Sequence, residues 1–116
     1  MAETQFQSTS SDDDRVDRRS ELARALARGG MEGAHVISIE TARKVLSPKR
    51  MDIVELLKEE EVESVRGLAR RLDRDKGQVS RDLGDLAEHG IIEYETDGRS
   101  KSPRLAQEHL VVEPLI

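Results

Sequence analysis

Two short amphipathic segments joined by a three-residue turn, a third helical segment before them and an alternating hairpin pattern after them predict a winged helix-turn-helix: a three-helix core with a β-hairpin wing. The fold class is α+β, mainly α, with an extra N-terminal helix and a short strand ahead of the core. The clearest of the segments is "RDKGQVSRDLGDLAEHG", residues 74–90. Val79, Leu83 and Leu86 recur there at four and then three residues, which draws one apolar stripe down a helix. Asp75 stands where a cap is needed, Gln78 follows three residues on in a capping-box arrangement, and Gly90 supplies the stop.

The elements before it follow in order. Residues 1–16 are rich in Ser, Thr, Gln and Asp and have almost nothing to bury, so a disordered tail is expected. "DRRSELARALAR" begins a helix within 17–30, with Leu22, Ala23, Ala25 and Leu26 clustered on one side and Gly29-Gly30 ending it. The winged domain is expected over 34–116. "HVISIE" at 35–40 alternates and is β-branched, which predicts a short strand, and "TARKVL" adds a helical turn or two. In "SPKRMDIVELLKEE", Ser47 caps and Pro48 takes the first helical position ahead of Met51, Ile53, Val54, Leu56 and Leu57. In "SVRGLARRLD", Ser64 caps and Val65, Leu68, Ala69 and Leu72 form the stripe. The turn Asp73-Arg74-Asp75 leads into the helix first described. After Gly90 the period becomes two: "IIEYE" alternates, "TDGRSKSP" holds an Asp-Gly turn signal, and "RLAQEHLVVEPL" resumes as one or two strands.

Composition narrows the chemistry. Hydrophobic residues make up 35% and aromatics 2% of the 116 residues, so the core is aliphatic and modest. The absence of cysteine removes disulfides, thiolate metal sites and a cysteine nucleophile together. No apolar run approaches the roughly 18 residues of a membrane span, and the N-terminus has neither the basic start nor the apolar stretch of a signal peptide, so a cytoplasmic protein is expected. His35, His89 and His109 are scattered, no Ser/His/Asp spacing or Gly-rich phosphate loop occurs, and no cofactor, metal or enzymatic activity is expected. His89, next to Gly90, suits a helix C-terminus and its macrodipole. Glu59, Glu60 and Glu61 fit a solvated turn better than a carboxylate pair.

The net charge of −5 argues against a nucleic-acid partner, but its distribution argues for one. Residues 1–40 hold five Arg against eight Asp/Glu, a net of −3, whereas 66–81 hold six bases (Arg66, Arg70, Arg71, Arg74, Lys76, Arg81) against Asp73 and Asp75, a net of +4. With Val79, Leu83 and Leu86 inward, Gly77, Gln78, Arg81, Gly84 and Asp85 fall outward. Gln can pair with adenine and Arg with guanine through two bonds in the major groove. Gly77 and Gly84 cost helix stability of roughly 1 kcal/mol each and leave the face flat enough for close approach. Arg99, Lys101 and Arg104 cluster on the hairpin, placed to grip phosphates or enter a minor groove. The expected DNA contacts are thus Ser64, Lys76, Gly77, Gln78, Ser80 and Arg81, with a recognition helix over about 76–89 in the major groove, and Arg99, Lys101 and Arg104 on a wing over about 91–107. The rival expectation is a winged-helix protein–protein module without DNA binding, which the net acidity and Asp82 and Asp85 favour.

Over about 45–113, with "SVRGLARRL" as positioning helix, "DKGQVSRDLGDLAEHGII" as recognition helix and first wing strand and "EYETDGRSKSPRL" as wing, the sequence resembles archaeal winged-helix transcriptional regulators of the MarR/ArsR type. More narrowly it is similar to a group of haloarchaeal proteins regarded as DNA-binding, and "HVISIE" and the terminal "VVEPL" fit that group. The resemblance implies a regulator of transcription that binds double-stranded DNA. The turn between the two helices departs from the pattern in having no Gly, and the recognition helix in carrying Asp82 and Asp85. The acid excess, with 14 of the 19 basic residues Arg, suits a salty cytoplasm and equally a mildly acidic mesophilic protein. A homodimer is expected, because one recognition helix reads few base pairs. The apolar residues left over for its interface are Leu22, Ala25 and Leu26, with Val111, Val112, Leu115 and Ile116; an equal alternative is that they cover their own domain.

Overall fold

A computed structural model of the protein describes residues 11–113. The chain runs α1 (Ser11–Arg28), β1 (Ala34–Ile37), α2 (Ile39–Val45), α3 (Pro48–Glu59), α4 (Val65–Leu72), α5 (Lys76–Glu88), β2 (Ile92–Asp97), β3 (Ser100–Leu105) and β4 (His109–Val112). Helices α3, α4 and α5 followed by the β2–β3 hairpin form the winged helix-turn-helix.

The starts of these helices follow from local chemistry. Ser47 accepts from the Arg50 N–H at 3.3 Å, Ser64 from Gly67 at 3.0 Å and Asp75 from Gln78 at 3.1 Å. Each bond satisfies one of the donors a helix N-terminus leaves open, for about 1 kcal/mol. The stripes then meet. Ile53 of α3, Leu68 of α4 and Val79, Leu83 and Leu86 of α5 are wholly buried, and Val45, Val62, Ile91 and Ile92 close the core around them. Gly90, at φ +73, ends α5 and turns the chain into the wing.

Asp73 does the work of the glycine missing from the α4–α5 turn. It sits in the left-handed region at φ +55 and ψ +49, its N–H donating to the Ala69 and Arg70 carbonyls. Asp tolerates this conformation better than most residues, and a β-branched one fits worst. Asp73→Val should therefore destabilise the fold by about 1–2 kcal/mol and Asp73→Gly should not. Urea unfolding of the two variants checks this; equal loss in both would refute the conformational explanation.

Two expectations are corrected. The strand predicted over 35–40 stops at Ile37, because Ser38 caps α2 by accepting from the Thr41 N–H at 3.1 Å. The first helix begins at Ser11, inside the stretch expected to be a disordered tail; residues 1–10 lie outside those described. The topology adds a pairing that has no local signal in the sequence. β4 pairs in parallel with β1, Ala34 against His109 through Ile37 against Val112, so the ends of the domain are tied together across it. Helix α1 lies against β1, with Leu22 and Leu26 half-buried and Arg19 paired to Glu113 at 3.3 Å. Val36, Ile37 and Ala42 are buried in this second, smaller unit. Val111 stands opposite Val36 within its own subunit, whereas Ala25 and Val112 stay exposed; Leu115 and Ile116 lie outside the described residues. Among the described residues no helix is long and apolar enough to cross a membrane.

Candidate nucleic-acid interface

Burial of Val79, Leu83 and Leu86 decides which way α5 faces. Lys76, Gly77, Gln78, Ser80, Arg81 and Gly84 are all exposed, and they occupy the first turns of the helix. The two glycines differ in their surroundings. A Cβ on Gly77 would stand 3.0 Å from the Asp75 carboxylate that caps the helix, so Gly77 has a local structural reason. A Cβ on Gly84 would meet nothing within 4 Å. Gly84 gives up helix stability for no packing gain, which leaves the flatness of the exposed face as its consequence.

The acids of α5 do not stand free on this face. Asp82 receives Arg50 Nε at 3.2 Å on one oxygen and an Arg74 terminal nitrogen at 2.6 Å on the other, and its side chain is only 17% exposed. Arg50 reaches Asp85 as well and donates to the Val45 carbonyl at 3.2 Å. One guanidinium therefore joins α3, the end of α2 and two turns of α5. A partly dehydrated pair is screened less by salt than a surface one. The repulsion of phosphate expected from Asp82 and Asp85 is offset at source. The same network lowers the local positive charge read from sequence, because Arg74 is spent on Asp82 and Arg71 on Glu60. Arg66, Arg70, Lys76 and Arg81 remain as exposed bases of that stretch.

The other expected contacts are distributed as follows. Ser64 is half-buried and its oxygen is committed to the Gly67 N–H. The wing turns through Gly98 and Arg99 alone, with positive φ on Gly98, the first loop position, as in a II′ turn. Arg99 and Lys101 are exposed, and the Lys101 ammonium stands 5.5 Å from the centroid of the Tyr94 ring. Burial raises the Tyr94 phenol above its ordinary pKa. Arg104 lies on the opposite face of the hairpin and pairs with Glu93 at 2.8 Å and Glu95 at 3.1 Å. Its charge is thus answered within the wing.

Sequence reasoning missed Arg50 altogether. Only the i, i+3 placement of Asp82 and Asp85 hints at a bridging cation, and nothing local says from where. It also missed His35. The His35 Nε2–H donates to the His89 carbonyl at 3.0 Å, while His89 Nδ1 lies 3.0 Å from the Asp85 carbonyl. The end of α5 is therefore capped from β1, and the His89 expected at a helix C-terminus is found there. Among the described residues no group of acids and histidines could hold a metal ion.

This arrangement is similar to solved structures. A homodimeric winged helix-turn-helix DNA-binding domain from Mycobacterium bovis, from a possible ArsR-family transcriptional regulator, matches with a TM-score of 0.53 and 25% identity over 59% of this chain. The match covers 63% of that domain's chain, less than two thirds of it. Rv0081 of Mycobacterium tuberculosis matches with a TM-score of 0.52 and 28% identity over 58% of this chain and 67% of its own. Reduced HlyU from Vibrio cholerae shares the fold, with a TM-score of 0.52 and 22% identity over 57% of this chain and 70% of its own. No curated protein matches. The family model of HVO_A0114 matches residues 45–112, from the end of α2 through β4 and more than half of the 116 residues, and the chain belongs to that family.

Proposed function

We propose that this protein is a regulator of transcription that binds double-stranded DNA sequence-specifically, of the archaeal MarR/ArsR-like kind and from a halophilic cytoplasm. The observation that carries the reading is the acid-compensated surface of α5, where Lys76, Gly77, Gln78, Ser80, Arg81 and Gly84 are all exposed. Similarity to the M. bovis DNA-binding domain supports it. Gln78 and Arg81 read bases in the major groove, Lys76 and Ser80 hold the adjoining backbone, and Ser64 offers its hydroxyl proton to a phosphate at the start of α4. Arg99 and Lys101 grip the backbone or minor groove from the wing; Arg104 joins them only by leaving Glu93 and Glu95. The DNA-binding unit is 34–116 with α1 as an appendage, and no enzymatic role or cofactor is assigned to it.

Mobility shift with the DNA upstream of the protein's own coding sequence tests this. Gln78→Ala or Arg81→Ala should weaken the preferred site by about 1–3 kcal/mol and spare non-specific DNA. Arg99→Ala or Lys101→Ala should weaken all sequences alike and lower the salt slope by about one unit each. Identical behaviour of both pairs would refute the division between helix and wing. Gly84→Ala adds a sharper contrast: about 0.5–1 kcal/mol more stable on thermal unfolding, yet poorer in binding if the backbone is pressed on DNA.

The regulator acts as a homodimer, as the M. bovis domain is homodimeric, with recognition helices about 34 Å apart for half-sites one turn apart. Val16, Met31 and Val112 are the large apolar side chains still exposed among the described residues, and they belong to the chain-terminal unit. A monomeric mass by light scattering at tens of micromolar would sink the dimer. The second reading, a protein–protein module, is favoured by the neutralised Arg104 and the net charge of −5; loss of all DNA binding with an intact fold would select it.

A further inference from the structure

The two sheets of the fold differ at their edges. In the wing, β2 carries Glu93 and Glu95, and β3 carries Lys101, Pro103 and Arg104, charges and a proline that discourage a further strand from pairing there. β4 has neither lysine nor proline, and it forms one side of a two-stranded sheet whose other strand, β1, has α1 against it. His109 and Glu113 donate to the Gly33 and Ile37 carbonyls at 3.1 and 2.7 Å. Backbone groups alternate along a strand, so Leu110 and Val112 turn their N–H and C=O groups away from β1. Among the described residues no backbone carbonyl receives those two N–H groups. The space beside them is open: Leu110, Val111 and Val112 all line a half-open cavity of about 460 Å³, with Met51 and Val54 of α3 also in its wall. Side chains of successive strand residues point to opposite faces, so a cavity met by three in a row runs along the edge of the strand.

We propose that this edge pairs with β4 of a second copy, antiparallel about a two-fold axis through Val111, to make one sheet of order β1–β4–β4′–β1′. The proposal rests on the homodimer reading above and gives that dimer its contact. A two-fold axis normal to the sheet sets identical strands antiparallel, and the outward groups fix the register. Leu110 stands opposite the partner's Val112 and exchanges both N–H···O bonds with it; the symmetric pair does the same, for four bonds in all. Val111 then faces the partner's Val111 in a non-hydrogen-bonded pair, where Cα atoms stand about 4.5 Å apart. His109 falls opposite the partner's Glu113, base against acid, and Arg19 already stands 3.3 Å from Glu113. Hydrogen bonding and charge thus select the same register. An unrelated apolar strand would fill the edge but would not answer His109 and Glu113 together. The exposed Met31 and Val112 line the cavity that the second strand enters.

The test uses the full chain without DNA. Light scattering across a concentration series is expected to show a dimer. Val112→Pro removes two of the four bonds, one donor from each chain, and leaves the ladder to β1 intact. Its circular dichroism should be unchanged and its dimerisation weaker by about tenfold or more. His109→Glu sets carboxylates opposite one another and should weaken the dimer about fivefold, with His109→Lys at least as tight as wild type. This second pair decides the matter if Val112→Pro fails to fold. The chain has no cysteine, so Val111→Cys should cross-link to its own copy on oxidation, at a Cα spacing that a disulfide spans, and Ser100→Cys on the wing should not. A folded Val112→Pro or a His109→Glu that dimerises as wild type does, or a dimer that leaves Val111→Cys uncross-linked, would overturn the pairing and leave the homodimer standing. A wild-type chain that is monomeric throughout the series would remove both.

Discussion

Truncation of Leu83 to Ala is expected to destabilise the protein by about 2–4 kcal/mol. Leu83 is wholly buried at the centre of α5, among Ile53, Leu68, Val79 and Leu86. The loss has two sources, the transfer free energy of the removed carbons and the cavity that neighbours on three helices cannot fill. Apart from Tyr94, packed against the edge of the cluster, the surrounding side chains are aliphatic. Against a typical total stability of 5–15 kcal/mol, the variant should unfold at clearly lower urea with an unchanged slope. A change under about 0.5 kcal/mol would mean that α5 faces the other way, and with it that Gln78 and Arg81 are not on the exposed side.

Asp82→Ala is expected to cost about 1–3 kcal/mol, between the values for exposed pairs and for dismantled buried ones. The estimate follows from exposure: the Asp82, Arg74 and Arg50 side chains are 17%, 13% and 21% exposed. Removing the shared carboxylate leaves two guanidiniums partly dehydrated, Arg74 with a buried Nε that already has no partner. Arg50 keeps Asp85 and the Val45 carbonyl, so the loss falls mainly on Arg74. Asp82→Asn, which retains acceptor capacity, should recover part of the loss. Urea unfolding at low and high salt separates the contributions, since a surface effect fades with salt and this one should largely persist. Stability within 0.5 kcal/mol of wild type would show the network to be ornamental. In DNA binding the same variant should alter affinity through the tilt of α5 rather than through its charge alone, so Gln78→Ala should matter less in its background.

The sequence by itself determined the helices of the winged domain, their starts and the buried side of each. Ser47, Ser64 and Asp75 are caps because their side-chain oxygens reach an N–H three residues on, and the stripes Val65–Leu68–Leu72 and Val79–Leu83–Leu86 repeat at helical spacing. Such signals lie within a few residues, so they need no knowledge of the fold. The exposure of Gly77, Gln78, Arg81 and Gly84 followed from the same stripe. What only the tertiary structure decided are pairings between residues far apart along the chain. The parallel register of β1 on β4 joins Ala34 to His109, Arg50 reaches Asp82 across 32 positions, and His35 reaches His89 across 54. A four-residue strand gives no sign of its partner, and an arginine in a chain with 14 of them gives no sign of its carboxylate. The charge of a side chain is local, but its neutralisation depends on which elements pack against it. For that reason Arg74 and Arg104 looked available in the sequence and are ion-paired in the fold, and Asp82 and Asp85 looked free and are ion-paired as well.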